Sequence, residues 1–193
     1  MKLDLRFSDR PLEDLSCQAV AALVFQKPHV TESVLSGLNE KMGGALADLE
    51  EKGIWTGARG ENVLLASQGT IRAEKILVHG LGQRSDWNVS LLSDGIIALG
   101  SALDKIEIKE FGIQIPLVED LEEEYIAHLE LSARHIVDPF LENHKKESDY
   151  LLKTVFFVKN DFRDPLSSMV NRLKEYFHSL LDFSIIIEEE TKI

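Results

Sequence analysis

The chain has 193 residues, of which 44% are hydrophobic, and a formal net charge of −12 at pH 7. This length favours one domain over residues 1–193, large enough to bury roughly 70% of its unfolded surface, and the composition excludes a disordered chain. No apolar run approaches the ~20 residues of a membrane-spanning helix, and the negative charge disfavours nucleic acid and anionic membranes as partners. One cysteine, Cys17, excludes an internal disulfide and a multi-cysteine metal site, and a cytoplasmic location is expected.

Strands and helices alternate along the sequence. The first eight residues alternate apolar and polar side chains, which predicts a strand. Further strands are predicted at 20–26, 62–67, 75–79, 110–117, 152–159 and 183–188. Helices are predicted at 31–52, 88–105, 121–146 with a kink at Pro139, and 164–181. This order predicts an α/β fold with one mixed, mostly parallel sheet and helices on both faces.

Several motifs occur in a fixed order between the second and fourth predicted strands. An apolar strand at 21–25 precedes a helix that carries Gly-Gly-Ala-Leu at 43–46, and Lys-Gly follows at 52–53. A later strand, Lys75-Ile-Leu-Val-His-Gly-Leu-Gly82, runs into a glycine turn. This set, within roughly residues 15–160, resembles the N-terminal domain of leucyl aminopeptidases, a distant relative of the macro domains that bind ADP-ribose. The resemblance implies a three-layer, macro-domain-like fold.

The resemblance does not extend to the catalytic half of that family. There, two divalent metals are bound by clustered carboxylates, a lysine and an arginine, including an Asn-Thr-Asp-Ala-Glu-Gly-Arg-like segment. No such segment occurs before the chain ends at Ile193, and the acidic clusters at 119–124 and 188–190 fit solvated ends of elements. We therefore expect no catalytic residues, no metal and no cofactor. In the family this domain contributes to oligomer assembly, so the leading hypothesis is a stand-alone, non-catalytic interaction module with a protein partner or a second copy.

Two alternatives remain open at this stage. The chain could be the partner or remnant of a two-metal aminopeptidase. It could also bind a small anionic, nucleotide-like or ADP-ribose-like ligand in a crevice formed by Gly43, Gly44, His79, Gly80 and Gly82. Against ADP-ribose, the stretch 26–29 replaces the expected asparagines, and 117–122 carries carboxylates where a glycine-rich loop would hold a diphosphate.

The histidines do not form a short metal-binding motif. His128 and His135 lie two helical turns apart, with Cβ atoms roughly 10 Å from each other, which is too far for one zinc ion. His79 is the most informative, because it ends a core strand beside Gly80-Leu-Gly82, where α/β folds place ligands.

The C-terminal segment carries its own structural signals. Asp164-Pro165 is a strong helix start, and Phe183-Ser-Ile-Ile-Ile187 is too apolar to remain in water. We expect 183–188 to form a strand that joins the main sheet or pairs with a second subunit.

Overall fold

The computed structural model describes residues 1–26, 35–118, 124–159, 162 and 165–188, and these residues form a seven-stranded sheet flanked by helices. The strands are β1 (Lys2–Ser8), β2 (Ala19–Val24), β3 (Asn62–Ala66), β4 (Lys75–Gly80), β5 (Glu110–Gln114), β6 (Leu151–Phe157) and β7 (Asp182–Ile187). The helices are α1 (Ser36–Lys41), α2 (Ala45–Glu51), α3 (Val89–Lys105), α4 (Tyr125–His135), α5 (Asp138–His144) and α6 (Leu166–Phe177). No helix in these ranges combines the length and apolar character needed to cross a membrane.

The sheet has the order β3-β4-β2-β5-β6-β1-β7. Every neighbouring pair is parallel except β3 and β4, which are antiparallel and joined by a short connection. The predicted mixed, mostly parallel sheet is therefore confirmed. The C-terminal strand pairs with β1 in register from Lys2 and Asp182 onward, so it joins the main sheet as predicted.

Two apolar clusters hold the layers together. All six residues of the central strand β2 are buried, as expected for a strand covered on both faces. The larger cluster lies under α3, α4, α5 and α6, and the smaller one lies under α1 and α2. Along α3 the inward residues fall at helical spacing: Leu91, Leu92, Ile96, Leu99 and Leu103. This confirms the predicted inner face of that helix.

The single helix predicted at 31–52 is wrong. Residues 31–34 lie outside the described ranges, and the rest forms two short helices, α1 and α2. Gly43 and Gly44 separate them with φ angles of 65° and 89°, a left-handed conformation that ends a helix. Two glycines in succession therefore act as a helix break.

The long helix predicted at 121–146 is also divided. Residues 121–123 fall outside the described part, and α4 ends at His135 before α5 begins at Asp138. Pro139 is the second residue of α5, where its missing N–H group costs no hydrogen bond. The expected kink is thus a break, since proline starts a helix better than it continues one.

Helix cover on the second face is incomplete. The helices α1 and α2 pack over β2 and β4, and the one-turn helix Leu12–Asp14 packs against β5. On this side, Val155 and Phe157 of β6 contact the edge of the smaller cluster, and no helix of the described ranges covers β1 and β7. We call this side of β6, β1 and β7 the open sheet face. The prediction of helices on both faces holds for the fold, but the second layer is only partial.

Candidate functional sites: an open sheet face and a histidine cavity

The open sheet face is built from every second residue of three parallel strands. Because the strands are in register, Val155, Arg6 and Ile186 form one row across β6, β1 and β7. Lys153, Asp4 and Ser184 form the next row. The intervening residues of β1, such as Leu5, are fully buried on the helix-covered side. The face therefore combines aliphatic and charged side chains.

Arg6 lies at the centre of this face in a network of ion pairs. Its Nη2 and Nε donate hydrogen bonds to Asp4 over 2.8 and 3.0 Å, and its Nη1 donates to Glu188 over 3.0 Å. The hydrogen bonds to Asp4 and then to Glu188 raise the pKa of the guanidinium above its ordinary value. Arg6 is thus permanently charged and held in place, while 39% of its side chain stays exposed.

A groove of about 300 Å³ runs along the open sheet face. Its charged lining consists of three cations and three anions, which are Arg6, Arg10, Lys153, Asp4, Glu110 and Glu188. Cys17 also lines the groove, but burial raises the pKa of its thiol to about 11. A thiol in that state is a poor nucleophile, so the groove offers charge and apolar surface rather than covalent chemistry.

His79 lies at the end of β4 on the opposite, α3-covered side of the sheet. It is paired in register with Asn62 of β3, and its Nδ1 lies 2.9 Å from Asn62 Oδ1. Since that oxygen can only accept, Nδ1 carries the proton and Nε2 presents its lone pair. Burial lowers the pKa of His79, which keeps the imidazole neutral at pH 7.

A cavity of about 120 Å³ opens beside this imidazole, and we call it the His79 cavity. Leu81, Leu91 and Ala98 supply apolar lining, and Gly95 of α3 lets Leu81 pack close to the helix, because a Cβ there would lie 2.6 Å from the Leu81 side chain. At the exposed rim, Arg59 Nη2 lies 3.2 Å from Asp94 Oδ2. Within the described part of the chain, His79 Nε2 has no hydrogen-bond partner.

Gly43 and Gly44 do not lie with His79. They separate α1 from α2, which pack on the other face of the sheet from α3. Their N–H groups donate to Glu40 O and Asn39 O, and the Asn39 side chain accepts from the first turn of α2, Leu46 N and Ala47 N. The crevice expected from the sequence is therefore split, and the amides expected to hold an anion are paired within the chain.

Gly80 and Gly82 serve close packing of one segment on another. A Cβ on Gly80 would lie 2.2 Å from Ala58 O, and one on Gly82 would lie 3.1 Å from the Arg59 Cβ. These contacts bring the 57–60 loop over the end of β4. The glycines thus shape the His79 cavity indirectly, by placing Arg59 at its rim.

The remaining histidines are separated from one another. His128 packs edge-on against Trp87, with ring centroids 5.4 Å apart, and His135 contacts Ser93 and Asp138. Across the ranges that the structure describes, no group of three or more histidine, cysteine or acidic residues is arranged to hold a metal ion. Residues 27–29 and 119–123, which bear on the ADP-ribose alternative, lie outside those ranges.

Sequence reasoning missed Asn62, Arg59 and Asp94. The pairing of Asn62 with His79 follows from the two predicted strands around the turn at Gly69, so that signal was present in the sequence. Arg59 and Asp94 are 35 residues apart and carry no local signal. The open sheet face also had a signal, because charges at alternate positions of a parallel strand, Asp4 and Arg6, are unusual when both faces are covered.

Comparison with solved structures defines the class as a macro-like α/β domain. The chain is similar to a tomato leucine aminopeptidase mutant, with a TM-score of 0.64 and 14% identity over 87% of this chain and 35% of that one. It is also similar to a Trypanosoma brucei macrodomain in complex with ADP (TM-score 0.62, 16% identity, 86% of this chain and 67% of that one). For an Oceanobacillus iheyensis macrodomain with MES bound, the TM-score is 0.60 and the identity is 14%, over 86% of this chain and 90% of that one. At these identities the similarity shows the fold.

The family is shown by a sequence comparison. The model of the cytosol aminopeptidase family, N-terminal domain, matches residues 21–140, more than half of the chain, which therefore belongs to this family. A probable cytosol aminopeptidase of Trichormus variabilis is 27% identical over 58% of this chain and 23% of its own length. A probable cytosol aminopeptidase of Gloeothece citriformis is 24% identical over 60% of this chain and 24% of its own length. The chain thus matches about a quarter of these relatives, and the resemblance stated from the sequence is confirmed.

Proposed function

We propose that this chain is a non-catalytic assembly module that self-associates through its open sheet face. The observation that supports the proposal is the face itself. Parallel strands are normally covered on both sides, because their connections place helices there. Here the described helices leave one side of β1 and β7 uncovered, and the same side of β6 contacts only the edge of the smaller cluster.

The aliphatic side chains of this face favour a protein partner. Leu151 and Ile186 are 37% and 42% exposed, and Val155 and Phe157 are half-buried. Covering such side chains contributes about 25 cal/mol per Å² of apolar area removed from water. The ordered Arg6 network adds polar specificity at the centre of the same surface.

The charge balance of the face favours a second copy of this chain. Two molecules that each carry a net charge of −12 repel one another over most of their surface. The groove on the open sheet face instead has equal numbers of cations and anions. A two-fold interface brings the same patch of both molecules together, so a patch containing both signs can be self-complementary.

The relatives suggest where the module works and what it accompanies. Both are named probable cytosol aminopeptidases, so we expect a cytosolic location. The matched region makes up about a quarter of each of these two relatives. An association with a separate peptidase chain is the competing use of the same open surface, and it would leave the purified chain monomeric in the experiment below.

Sedimentation velocity across a concentration series, with light scattering, tests the proposal. Ile186→Lys places a charge on the open sheet face, whereas Ile54→Lys changes an isoleucine that is 63% exposed outside the groove lining and serves as the matched control. Wild type and Ile54→Lys should form the same dimer, and Ile186→Lys should be monomeric with an unchanged circular dichroism spectrum. A wild type that stays monomeric throughout, or equal loss in both variants, would refute the proposal.

A further inference from the structure

We propose that the His79 cavity binds a neutral, ring-sized molecule that donates one hydrogen bond to His79 Nε2. This inference is independent of self-association, because the cavity and the open sheet face lie on opposite sides of the sheet. It also differs from the anion site expected from the glycines, since Gly43 and Gly44 are not part of it.

The acceptor is fixed by the surrounding structure. Asn62 Oδ1 binds the Nδ1 proton over 2.9 Å, and the two residues are held opposite each other by the pairing of β3 with β4. His79 is only 3% exposed, and its Nε2 has no partner among the described residues. Nε2 is not among the fully buried side-chain atoms without a partner, so water in the cavity reaches it. A ligand that donates to Nε2 keeps the hydrogen bond that this water makes, and it also places its ring against the apolar lining.

The size and lining of the cavity indicate the size, polarity and charge of the rest of the ligand. Its volume of about 120 Å³ is near the ~150 Å³ of an engineered apolar cavity that holds benzene. Leu81, Leu91 and Ala98 offer apolar contact to a ring. The close opposite charges of Arg59 and Asp94 at the rim leave no net charge to attract an ion.

These features select against an anion. A carboxylate or phosphate oxygen would meet the lone pair of a neutral imidazole, which repels it. A phenol-like molecule satisfies each feature, because its hydroxyl donates to Nε2 while its ring fills the apolar part. Anisole has the same ring without the donor, and benzoate replaces the donor with a charge. Comparing these three compounds therefore separates the contribution of the hydrogen-bond donor from the contributions of the ring and of a negative charge.

Titration followed by two-dimensional NMR, including the ring nitrogens of His79, measures binding to the full chain. Phenol should bind saturably and shift His79 Nε2, and anisole should bind about tenfold more weakly because it leaves the acceptor unsatisfied. Benzoate should bind more weakly than phenol. Equal affinities for phenol and anisole, a preference for benzoate, or phenol-induced shifts confined to another surface would overturn the proposal.

Two test variants and one control variant locate the binding site. His79→Phe removes the acceptor and should abolish the preference for phenol over anisole. Should that variant fail to fold, Ala98→Leu narrows the cavity and leaves the His79 side chain unchanged. It should weaken the binding of phenol and of anisole severalfold. Ala66→Leu, an exposed alanine at the far end of β3, is the matched control and should bind phenol like the wild type. Unaltered phenol binding in Ala98→Leu would refute the assigned site.

Discussion

Gly80 shows how a residue type that suggests ligand binding can serve packing instead. Glycine lets a ligand approach the backbone, and it equally lets another chain segment approach. At Gly80 the approaching group is the backbone of Gly57 and Ala58, whose oxygens a Cβ would meet at 2.5 and 2.2 Å. The sequence Gly80-Leu-Gly82 does not distinguish these two uses, because each requires the same missing side chain.

Thr154 offers a test of polar satisfaction at the residue scale. Its hydroxyl is fully buried in β6 and has no hydrogen-bond partner in the described structure. Thr154→Val has nearly the same shape and removes the unsatisfied group, so it should raise the free energy of unfolding by about 1 kcal/mol. Urea denaturation measures this change.

The matched control is Thr70→Val. The Thr70 hydroxyl donates to Ser67 O over 2.7 Å, so the same substitution should lower stability by about 0.5–1 kcal/mol. A loss of stability in both variants would show that the Thr154 hydroxyl has a partner in solution.

At the scale of elements, one histidine joins two helices. His144, the last residue of α5, bonds Asp104 of α3 through Nε2 and Glu147 through Nδ1, each over 2.8 Å. Its ring also stacks on Tyr150, with centroids 4.0 Å apart. Burial lowers the pKa of His144, but the hydrogen bonds to Glu147 and Asp104 outweigh burial and raise it above its ordinary value.

The hydrogen bonds of His144 to Asp104 and Glu147 predict a pH-dependent contribution to stability. Because the folded-state pKa of His144 is raised, its contribution is fully present below the unfolded-state pKa and is lost as pH rises through the folded-state value. His144→Gln should therefore cost roughly 0.5–1 kcal/mol at pH 5.5 and less at pH 8.5. Thermal unfolding across this range checks the sign.

The partner residue supplies the control for that experiment. Asp104→Asn removes the carboxylate that favours the charged imidazole, so its pH profile should follow that of His144→Gln. A cost that grows with pH in either variant would contradict the assigned cause.

The C-terminal pair α6 and β7 provides a second prediction about elements. Five side chains of α6 are buried: Leu166, Met169, Val170, Leu173 and Phe177. At about 2 kcal/mol each, their burial is comparable to the whole stability of a typical domain. Deleting residues 164–193 should therefore unfold or aggregate the protein, as measured by circular dichroism and light scattering.

A shorter truncation separates the strand from the helix. Removing 182–193 leaves α6 in place and exposes β1 as a new sheet edge, so it should lower the melting temperature without abolishing folding. An unchanged melting temperature after the longer deletion would mean that this unit is dispensable.

At the scale of the whole molecule, membership of a peptidase family does not by itself imply peptidase activity. The family model that matches is that of the N-terminal domain, and the described residues contain no group of side chains arranged for a metal ion. We therefore expect the purified chain not to hydrolyse leucine amide with manganese, zinc or cobalt. Metal-dependent turnover that persists through repeated purification would disprove this expectation.

The sequence by itself determined the kinds of elements and their order. Periodicity of apolar residues is local, so it located the strands and α3 correctly, and the motifs around Lys75 to Gly82 identified the family. It failed where neighbouring signals compete, as at Gly43-Gly44 and Pro139, where a helical pattern continues across a residue that ends the helix. Strand order was decided by tertiary structure, because pairing between β1 and β7 joins residues 180 positions apart. That order also decides that one side of β6, β1 and β7 forms the open sheet face and that His79 faces α3. Both follow from tertiary structure, since the surroundings of a side chain depend on which elements pack beside its strand.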